Sequence, residues 1–206
     1  MNKSQKLGIQ GRPDVPPRLF DLVPQYIEKY GYKDCLFAGK VNRQWIKYNG
    51  EKFYEMTNSI SYGLLKIGVK KGDRIALIAN NAPEWNMIDF AIQQVGAICI
   101  PIYPTISHDD YDYIFKHSEA SIVFVSNKFL YSKVADIIET IPTIKEIYLI
   151  RESEGMKSLQ ELINLGNENK DETTLEARKA EVKNEDIATI IYTSGTTGNP
   201  KGVMLS

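Results

Sequence analysis

The feature that most constrains the fold is a regular alternation of short apolar segments and longer segments of helical length through the middle of the chain. Short β-branched runs bounded by polar residues are typical of buried strands. Strands are predicted at residues 74–79, 97–102, 121–125 and 146–150, and helices at residues 84–95, 109–117, 128–138 and 159–165. Strand–helix–strand units of this kind predict an α/β fold with a largely parallel sheet covered by helices on both faces.

The segments on either side of this alternation are more polar. Residues 1–17 are polar and rich in proline, which predicts a loose lead-in before a domain that spans residues 18–206. A helix at 19–30 and a strand pair at 35–38 and 44–48 are predicted to follow. The helix at 54–67 carries one apolar stripe, formed by Met56, Ile60, Leu64 and Ile67. Residues 166–186 are charge-rich and predict a solvated loop with an exposed helical segment.

The composition argues against several classes of function. The 25 basic and 26 acidic residues give a net charge of −1, so electrostatics favour neither nucleic acid nor an anionic membrane as a partner. No apolar run is long enough to cross a bilayer, and the first residues lack the apolar core of a signal peptide. Cys35 and Cys99 lack metal-ligand spacing and predict free thiols. These features together predict a cytoplasmic protein.

Three groups of residues could suggest a further site, and each has a structural interpretation. His108 and His117 have neither a nucleophile nor a cysteine partner nearby in the sequence, so they are interpreted as surface or helix-end residues. The acids at 109–112 are interpreted as helix-start acids rather than as a metal cluster. Nearby aromatic residues are interpreted mainly as core that covers the sheet: Tyr103, Tyr111, Tyr113 and Phe115.

The last fifteen residues have the composition of a loop that holds phosphate. A predicted buried strand at 187–191 is followed by five serine and threonine residues, three glycines and one lysine. Glycine permits φ > 0 and a close approach of the backbone to a ligand, while Lys201 adds a positive charge. The hydroxyl donors are Thr193, Ser194, Thr196 and Thr197, and the glycines of the loop are Gly195 and Gly198. A plain surface turn is the alternative interpretation. A Walker A motif is disfavoured, because Gly202 and strand-forming residues follow the lysine.

Residues 192–203 resemble the phosphate-loop signature of the adenylate-forming (AMP-binding) superfamily, with Asn199 at its one free position. Two upstream segments, residues 72–85 and 90–104, are similar to early parts of the same family. The chain from about Phe20 onward is similar to the N-terminal part of long-chain fatty acyl-CoA synthetases.

The resemblance implies an acid–thiol ligase as the parent enzyme. A fatty acid carboxylate attacks the α-phosphate of ATP, pyrophosphate leaves, and coenzyme A then displaces AMP. Thr193 is the implied Mg²⁺ ligand and Lys201 the implied catalytic cation. The implied contacts to pyrophosphate come from Thr193, Ser194, Gly195, Thr196, Thr197, Gly198 and Lys201.

Several of the family's later elements are missing from these 206 residues: the adenine and ribose motifs, the second Mg²⁺ ligand, the hinge and the C-terminal catalytic lysine. The chain alone is therefore expected to be inactive as a truncated domain. A non-catalytic fragment, an interaction module derived from a synthetase, and a ligase for another carboxylic acid are the alternatives. Peripheral membrane contact and a homodimer both stay open at this point.

Overall fold

The structure, a computed structural model, describes residues 18–31, 33–41, 43–193 and 198–206. The predicted lead-in at residues 1–17 lies outside these ranges. A 3₁₀ turn at Leu19–Asp21 comes before the first helix. In chain order the elements are α1 (Leu22–Tyr30), β1 (Phe37–Val41), β2 (Gln44–Tyr48), α2 (Gly50–Lys66), β3 (Arg74–Ile78), α3 (Pro83–Gln94), β4 (Ile98–Ile102), α4 (His108–Ser118), β5 (Ile122–Val125), α5 (Lys128–Tyr131), α6 (Ala135–Thr140), β6 (Glu146–Leu149), α7 (Leu159–Glu168), α8 (Glu172–Glu181), β7 (Thr189–Thr193) and β8 (Lys201–Leu205).

The main sheet has six strands in the order β6-β5-β3-β4-β7-β8. Every neighbouring pair is parallel except β7 and β8, which are antiparallel. Strands β1 and β2 form a separate antiparallel pair. The predicted α/β fold with a largely parallel sheet is confirmed.

Alternate residues of the central strands feed two apolar clusters, one on each face of the sheet. Ile75 and Leu77 of β3 pack with residues of α2, α3, α7 and α8. Ala76 and Ile78 pack with residues of α4, α5 and α6. Burial on both faces explains why these strands read as continuous apolar runs rather than as alternating ones.

The predicted helix at 128–138 is wrong in one respect, because the segment forms two short helices, α5 and α6. The Ser132 hydroxyl donates to the Phe129 carbonyl oxygen at 2.8 Å. A side chain that bonds to the backbone in this way offers an alternative to continuing the helix. The break at residues 132–134 follows from this local competition.

The charge-rich segment at 166–186 is more ordered and more packed than the sequence predicts. Helix α7 extends to Glu168, and α8 begins after Asp171, whose side chain accepts a hydrogen bond from the Thr174 N–H. Leu175 and Lys179 of α8 are buried. The Lys179 ammonium donates to the Tyr54 hydroxyl at 3.1 Å, which attaches α8 to α2.

The buried carboxyl of Asp89 on α3 is expected to make the stability of the fold depend on pH. Asp89 on α3 is 8% exposed, and burial raises its pKa from the ordinary 3.8. The folded state therefore binds this proton more tightly than the unfolded state. The free energy of unfolding of the wild type accordingly falls as the pH rises from 3.8 through the raised pKa of Asp89. We expect Asp89→Asn to raise the free energy of unfolding at neutral pH, with a gain that shrinks as the pH falls toward 3.8. Urea unfolding at several pH values measures this gap, with exposed Asp109→Asn as the control. A gap that does not change with pH would contradict the prediction.

Candidate phosphate-binding site

The predicted phosphate loop connects the two strands of an antiparallel hairpin. Strands β7 and β8 pair over five residues, ending with Thr193 opposite Lys201. The loop therefore leaves and returns at one residue pair, and both of these side chains are exposed. Gly198 adopts a φ of +102°, a conformation that favours glycine. Four further predicted residues lie outside the described ranges: Ser194, Gly195, Thr196 and Thr197.

The loop lies at the carboxyl edge of the parallel sheet. Strand β7 runs parallel to β4, so Thr193 lies at the same edge as the ends of β3 and β4. Ligands of open α/β sheets bind outside this edge. The predicted strand at 187–191 is shifted to Thr189–Thr193, and it is half-buried rather than buried. The reason is its position next to β8, an edge strand whose Met204 is exposed.

A proline lies where the pairing of β4 with β7 ends. The Cys99 N–H donates to the Ala188 carbonyl oxygen at 3.0 Å, and the Thr189 hydroxyl donates to the Cys99 carbonyl oxygen at 2.9 Å. Two residues further along β4, the nitrogen that would face β7 belongs to Pro101 and has no hydrogen to donate. Among the described residues, the pairing of the two strands accordingly stops at Cys99 and Thr189.

A groove of about 570 Å³ opens at this edge of the sheet, beside Pro101 and Ile191. The segment after β3 leads to α3 on one face of the sheet, and the segment after β4 leads to α4 on the other. Its wall is formed by residues after β3, by the last residues of β4 and the segment that follows, and by one residue each from α3 and β7: Ala79, Asn80, Asn81, Trp85, Pro101, Ile102, Tyr103, Pro104, Thr105 and Ile191. An apolar wall with two amide side chains lies next to the hairpin.

The aromatic residues after β4 divide into two groups. Tyr111 and Phe115 are buried in the core, as predicted. Tyr103 is 71% exposed, so its predicted place in the core is wrong. The Tyr111 hydroxyl donates to the Tyr103 carbonyl oxygen at 3.0 Å, which fixes the Tyr103 backbone while its ring borders the groove.

The two histidines lie at the ends of α4, and the prediction of surface or helix-end positions is confirmed for both. His108 is exposed, with its Nε2 2.9 Å from an Asp136 carboxylate oxygen. His117 is in the last turn of the helix, and a hydrogen bond of 2.7 Å joins its Nδ1 to the Tyr192 hydroxyl. This contact was not predicted. Burial raises the pKa of Tyr192, so its hydroxyl stays protonated at neutral pH.

The remaining predictions concern metals, thiols and membranes. Asp109 and Asp110 lie in the first turn of α4, as predicted, and Cys35 and Cys99 are free thiols. The part of the chain that the structure describes contains no group of three or more His, Cys, Asp or Glu side chains that could hold a metal ion. Thr193 offers one exposed oxygen, which suits Mg²⁺, because this ion keeps several waters and binds mostly to substrate phosphates. None of the described helices is both long and apolar enough to span a membrane.

Similarity to known proteins assigns the chain to a family. Residues 25–206 match the family described as AMP-binding enzyme. The long-chain-fatty-acid–CoA ligase FadD15 of Mycobacterium bovis is 38% identical over 144 residues, which is 70% of this chain and 24% of that protein.

Solved structures agree with this match. The long-chain-fatty-acid–CoA ligase FadD1 from Archaeoglobus fulgidus has a TM-score of 0.73 at 27% identity, over 91% of this chain and 36% of that one. The anthranilate CoA ligase AuaEII in complex with anthranoyl-AMP has a TM-score of 0.75 at 25% identity, over 93% of this chain and 35% of that one. The chain spans about a quarter of the length of the curated long-chain-fatty-acid–CoA ligases that it matches. It belongs to the AMP-binding enzyme family, and its relatives include long-chain fatty acid–CoA ligases.

Proposed function

We propose that residues 18–206 form the part of a long-chain fatty acid–CoA ligase that holds the β- and γ-phosphates of ATP while a carboxylate is adenylated. The observation that carries this proposal is the pairing of Thr193 with Lys201 at the carboxyl edge of a parallel sheet, in a chain of the AMP-binding family. The name of the Mycobacterium bovis relative supports a fatty acid as the acyl substrate. The anthranilate ligase keeps another carboxylic acid as the alternative.

The chemistry requires stabilisation of a highly charged leaving group. A carboxylate oxygen attacks the α-phosphorus, the bond from that phosphorus to the bridging oxygen breaks, and pyrophosphate leaves with the electron pair. A cation and hydrogen-bond donors fixed near the departing oxygens lower the barrier most effectively. Lys201 supplies the cation, and the Thr193 hydroxyl and the backbone near Gly198 lie within the same hairpin. Ser194, Gly195, Thr196 and Thr197 complete the proposed contacts to pyrophosphate.

The proposed partners are small molecules. AMP-binding enzymes generally use ATP, coenzyme A and Mg²⁺, and Thr193 would hold the metal ion here. When bound, Mg²⁺ supplies further positive charge to the phosphate oxygens. The near balance of 25 basic and 26 acidic residues favours such substrates over nucleic acid. The cytoplasmic location, peripheral membrane contact and the homodimer stay predictions from sequence.

The first test is the affinity of the 206-residue chain for magnesium pyrophosphate, measured by calorimetry. We expect Lys201→Ala to weaken binding about tenfold, because one charge-assisted hydrogen bond contributes roughly 1.5 kcal/mol. Lys145→Ala removes the same charge at the amino edge of the sheet, immediately before β6, and is the matched control. Equal affinities for the two variants would contradict the proposal.

A second measurement separates binding from catalysis. The chain is mixed with ATP, Mg²⁺, palmitate and radiolabelled pyrophosphate, and exchange of label into ATP is followed. We expect binding without exchange, because the chain spans about a quarter of its curated relatives. Exchange above background would show that these residues are sufficient for adenylation.

A further inference from the structure

The strand that leads into the phosphate loop is attached to helix α4 by a polar contact that the proposed chemistry does not use. His117 Nδ1 lies 2.7 Å from the Tyr192 hydroxyl, and the two rings meet edge to face with centroids 5.7 Å apart. Tyr113, one helical turn earlier, stacks on the same imidazole with ring centroids 5.3 Å apart. The imidazole is therefore held in one orientation by two aromatic rings, although it lies near the surface.

Tyr192 is also fixed from the side of β8. Its partner across the hairpin is Gly202. A Cβ atom at Gly202 would lie 2.9 Å from Ile190 Cγ2 and 3.4 Å from Tyr192 Cζ, so the side chains of β7 occupy the space that a larger residue would need. Tyr192 is 9% exposed, in contact with the apolar cluster beneath α4. These contacts hold the residue pair that lies directly below Thr193 and Lys201.

The same helix also holds the other wall of the groove. The hydroxyl of Tyr111 is bonded to the carbonyl oxygen of Tyr103, whose ring borders the groove. Helix α4 thus contacts both the segment after β4 and the strand before the loop. This arrangement matters because Pro101 has no N–H to donate to β7, and among the described residues the register of β4 with β7 ends at Cys99 and Thr189.

We infer that His117 is a positioning residue for the phosphate loop: its hydrogen bond to Tyr192 attaches the loop-bearing hairpin to α4, so that Thr193 and Lys201 are directed toward the same pyrophosphate. The inference rests on the proposed function. Pro101 cannot donate a hydrogen bond to β7, and the contact between α4 and Tyr192 adds a polar attachment beyond the last register pair. Loss of the bond therefore loosens the geometry of the loop without removing a contact to the ligand itself.

The affinity of the 206-residue chain for magnesium pyrophosphate tests the inference. His117→Phe keeps a ring and removes the nitrogen, and Tyr192→Phe removes only the hydroxyl. Each is expected to weaken binding about threefold to tenfold, the range for one hydrogen bond. The double variant is expected to be no weaker than either single one, because both remove the same interaction. His117→Asn, whose side-chain amide can reach the position of Nδ1, is expected to restore most of the affinity.

A spectroscopic readout shows the bond itself. The chain has only two histidines, so ¹⁵N spectra of the imidazole nitrogens contain two sets of signals. Tyr192→Phe is expected to shift the Nδ1 signal of His117 and to leave His108 unchanged, because His108 lies beside Asp136 instead. Thermal midpoints of the variants identify any loss of binding that merely reflects unfolding.

The possible outcomes separate this inference from the proposed function. If the wild-type chain binds pyrophosphate and His117→Phe binds equally well, the positioning role is overturned and the proposed function stands. A wild-type chain that binds no pyrophosphate overturns both. Weaker binding by His117→Phe without rescue by His117→Asn would also overturn the role, since packing of the ring would then account for the loss.

Discussion

Replacing Gly166 with alanine is expected to lower the free energy of unfolding by about 3 kcal/mol, the upper end of the range for overpacked sites. The expected sign is informative, because glycine to alanine inside a helix ordinarily stabilises a protein by roughly 1 kcal/mol. Here α7 crosses α2 with backbone against backbone. A Cβ atom at Gly166 would lie 1.9 Å from the Ser59 carbonyl oxygen and 2.8 Å from the Gly63 nitrogen.

The clash cannot be relieved by rotating a side chain. Both of the nearest atoms belong to the backbone of α2, so one helix must move away from the other. The approach is close from the other side as well, because a Cβ atom at Gly63 would lie 2.5 Å from the Leu162 carbonyl oxygen. Separation of the helices would also stretch the hydrogen bond of 2.6 Å from the Ser59 hydroxyl to Asn167 Oδ1.

Urea unfolding followed by circular dichroism measures the effect. The control is Glu168→Ala, at an exposed position in the last turn of the same helix, where we expect a change within about 0.5 kcal/mol. A Gly166→Ala variant as stable as the wild type would show that α2 and α7 do not meet at these glycines.

The parallel sheet was predictable from sequence for a physical reason. Strands β3, β4 and β5 are buried on both faces, so nearly every residue in them is apolar and the runs are distinct from their surroundings. The break between α5 and α6 was not predictable in the same way, because it depends on whether the Ser132 hydroxyl bonds to the Phe129 carbonyl oxygen. The half-burial of β7 has another cause, since it lies beside the edge strand β8 rather than in the centre of the sheet.

The candidate site was predictable only in part. Thr193 and Lys201 were identified by a long contiguous motif, and their pairing follows from the hairpin that the motif forms. His117 precedes Tyr192 by 75 residues, and their contact depends on the strand order that places β7 next to β4 and beneath α4. The sequence indicates neither that order nor that Pro101 would end the pairing of the two strands. Periodicity describes one element at a time, whereas these features depend on which elements become neighbours.

Removing the guanidinium of Arg151 is expected to lower the free energy of unfolding by about 3 kcal/mol, at the lower end of the range for broken buried ion pairs. Arg151 Nη1 donates to Glu84 Oε1 at 2.6 Å. The side chain of Glu84 is 9% exposed and that of Arg151 is 42% exposed, so contact of Arg151 with water reduces the expected effect. The Arg151 N–H also donates to the Ser126 carbonyl oxygen, so the cation extends from a fixed point after β6.

The size of this effect comes from the Glu84 carboxylate, which stays buried after the Arg151 side chain is removed. Glu84 lies in the first turn of α3, and in Arg151→Ala its buried charge has lost its cation. Glu84→Gln in the same chain removes that charge, so the double variant is expected to regain more than half of the lost stability. Lys157→Ala breaks an ion pair with Glu146 of the same 2.6 Å length but with the lysine 56% exposed, and it should cost less than about 1 kcal/mol.

The ion pair between Glu84 and Arg151 also affects the groove. Trp85, which lines it, follows Glu84 directly at the start of α3, so the ion pair fixes one wall of the groove to the end of β6. The intrinsic fluorescence of Trp85 is therefore expected to change in Arg151→Ala under native conditions and to remain unchanged in Lys157→Ala. The other tryptophan, Trp45, lies on β2 and is replaced by phenylalanine in all variants for this measurement. If the two variants lose equal stability, water rather than Arg151 stabilises the Glu84 carboxylate, and the start of α3 is not fixed by this pair.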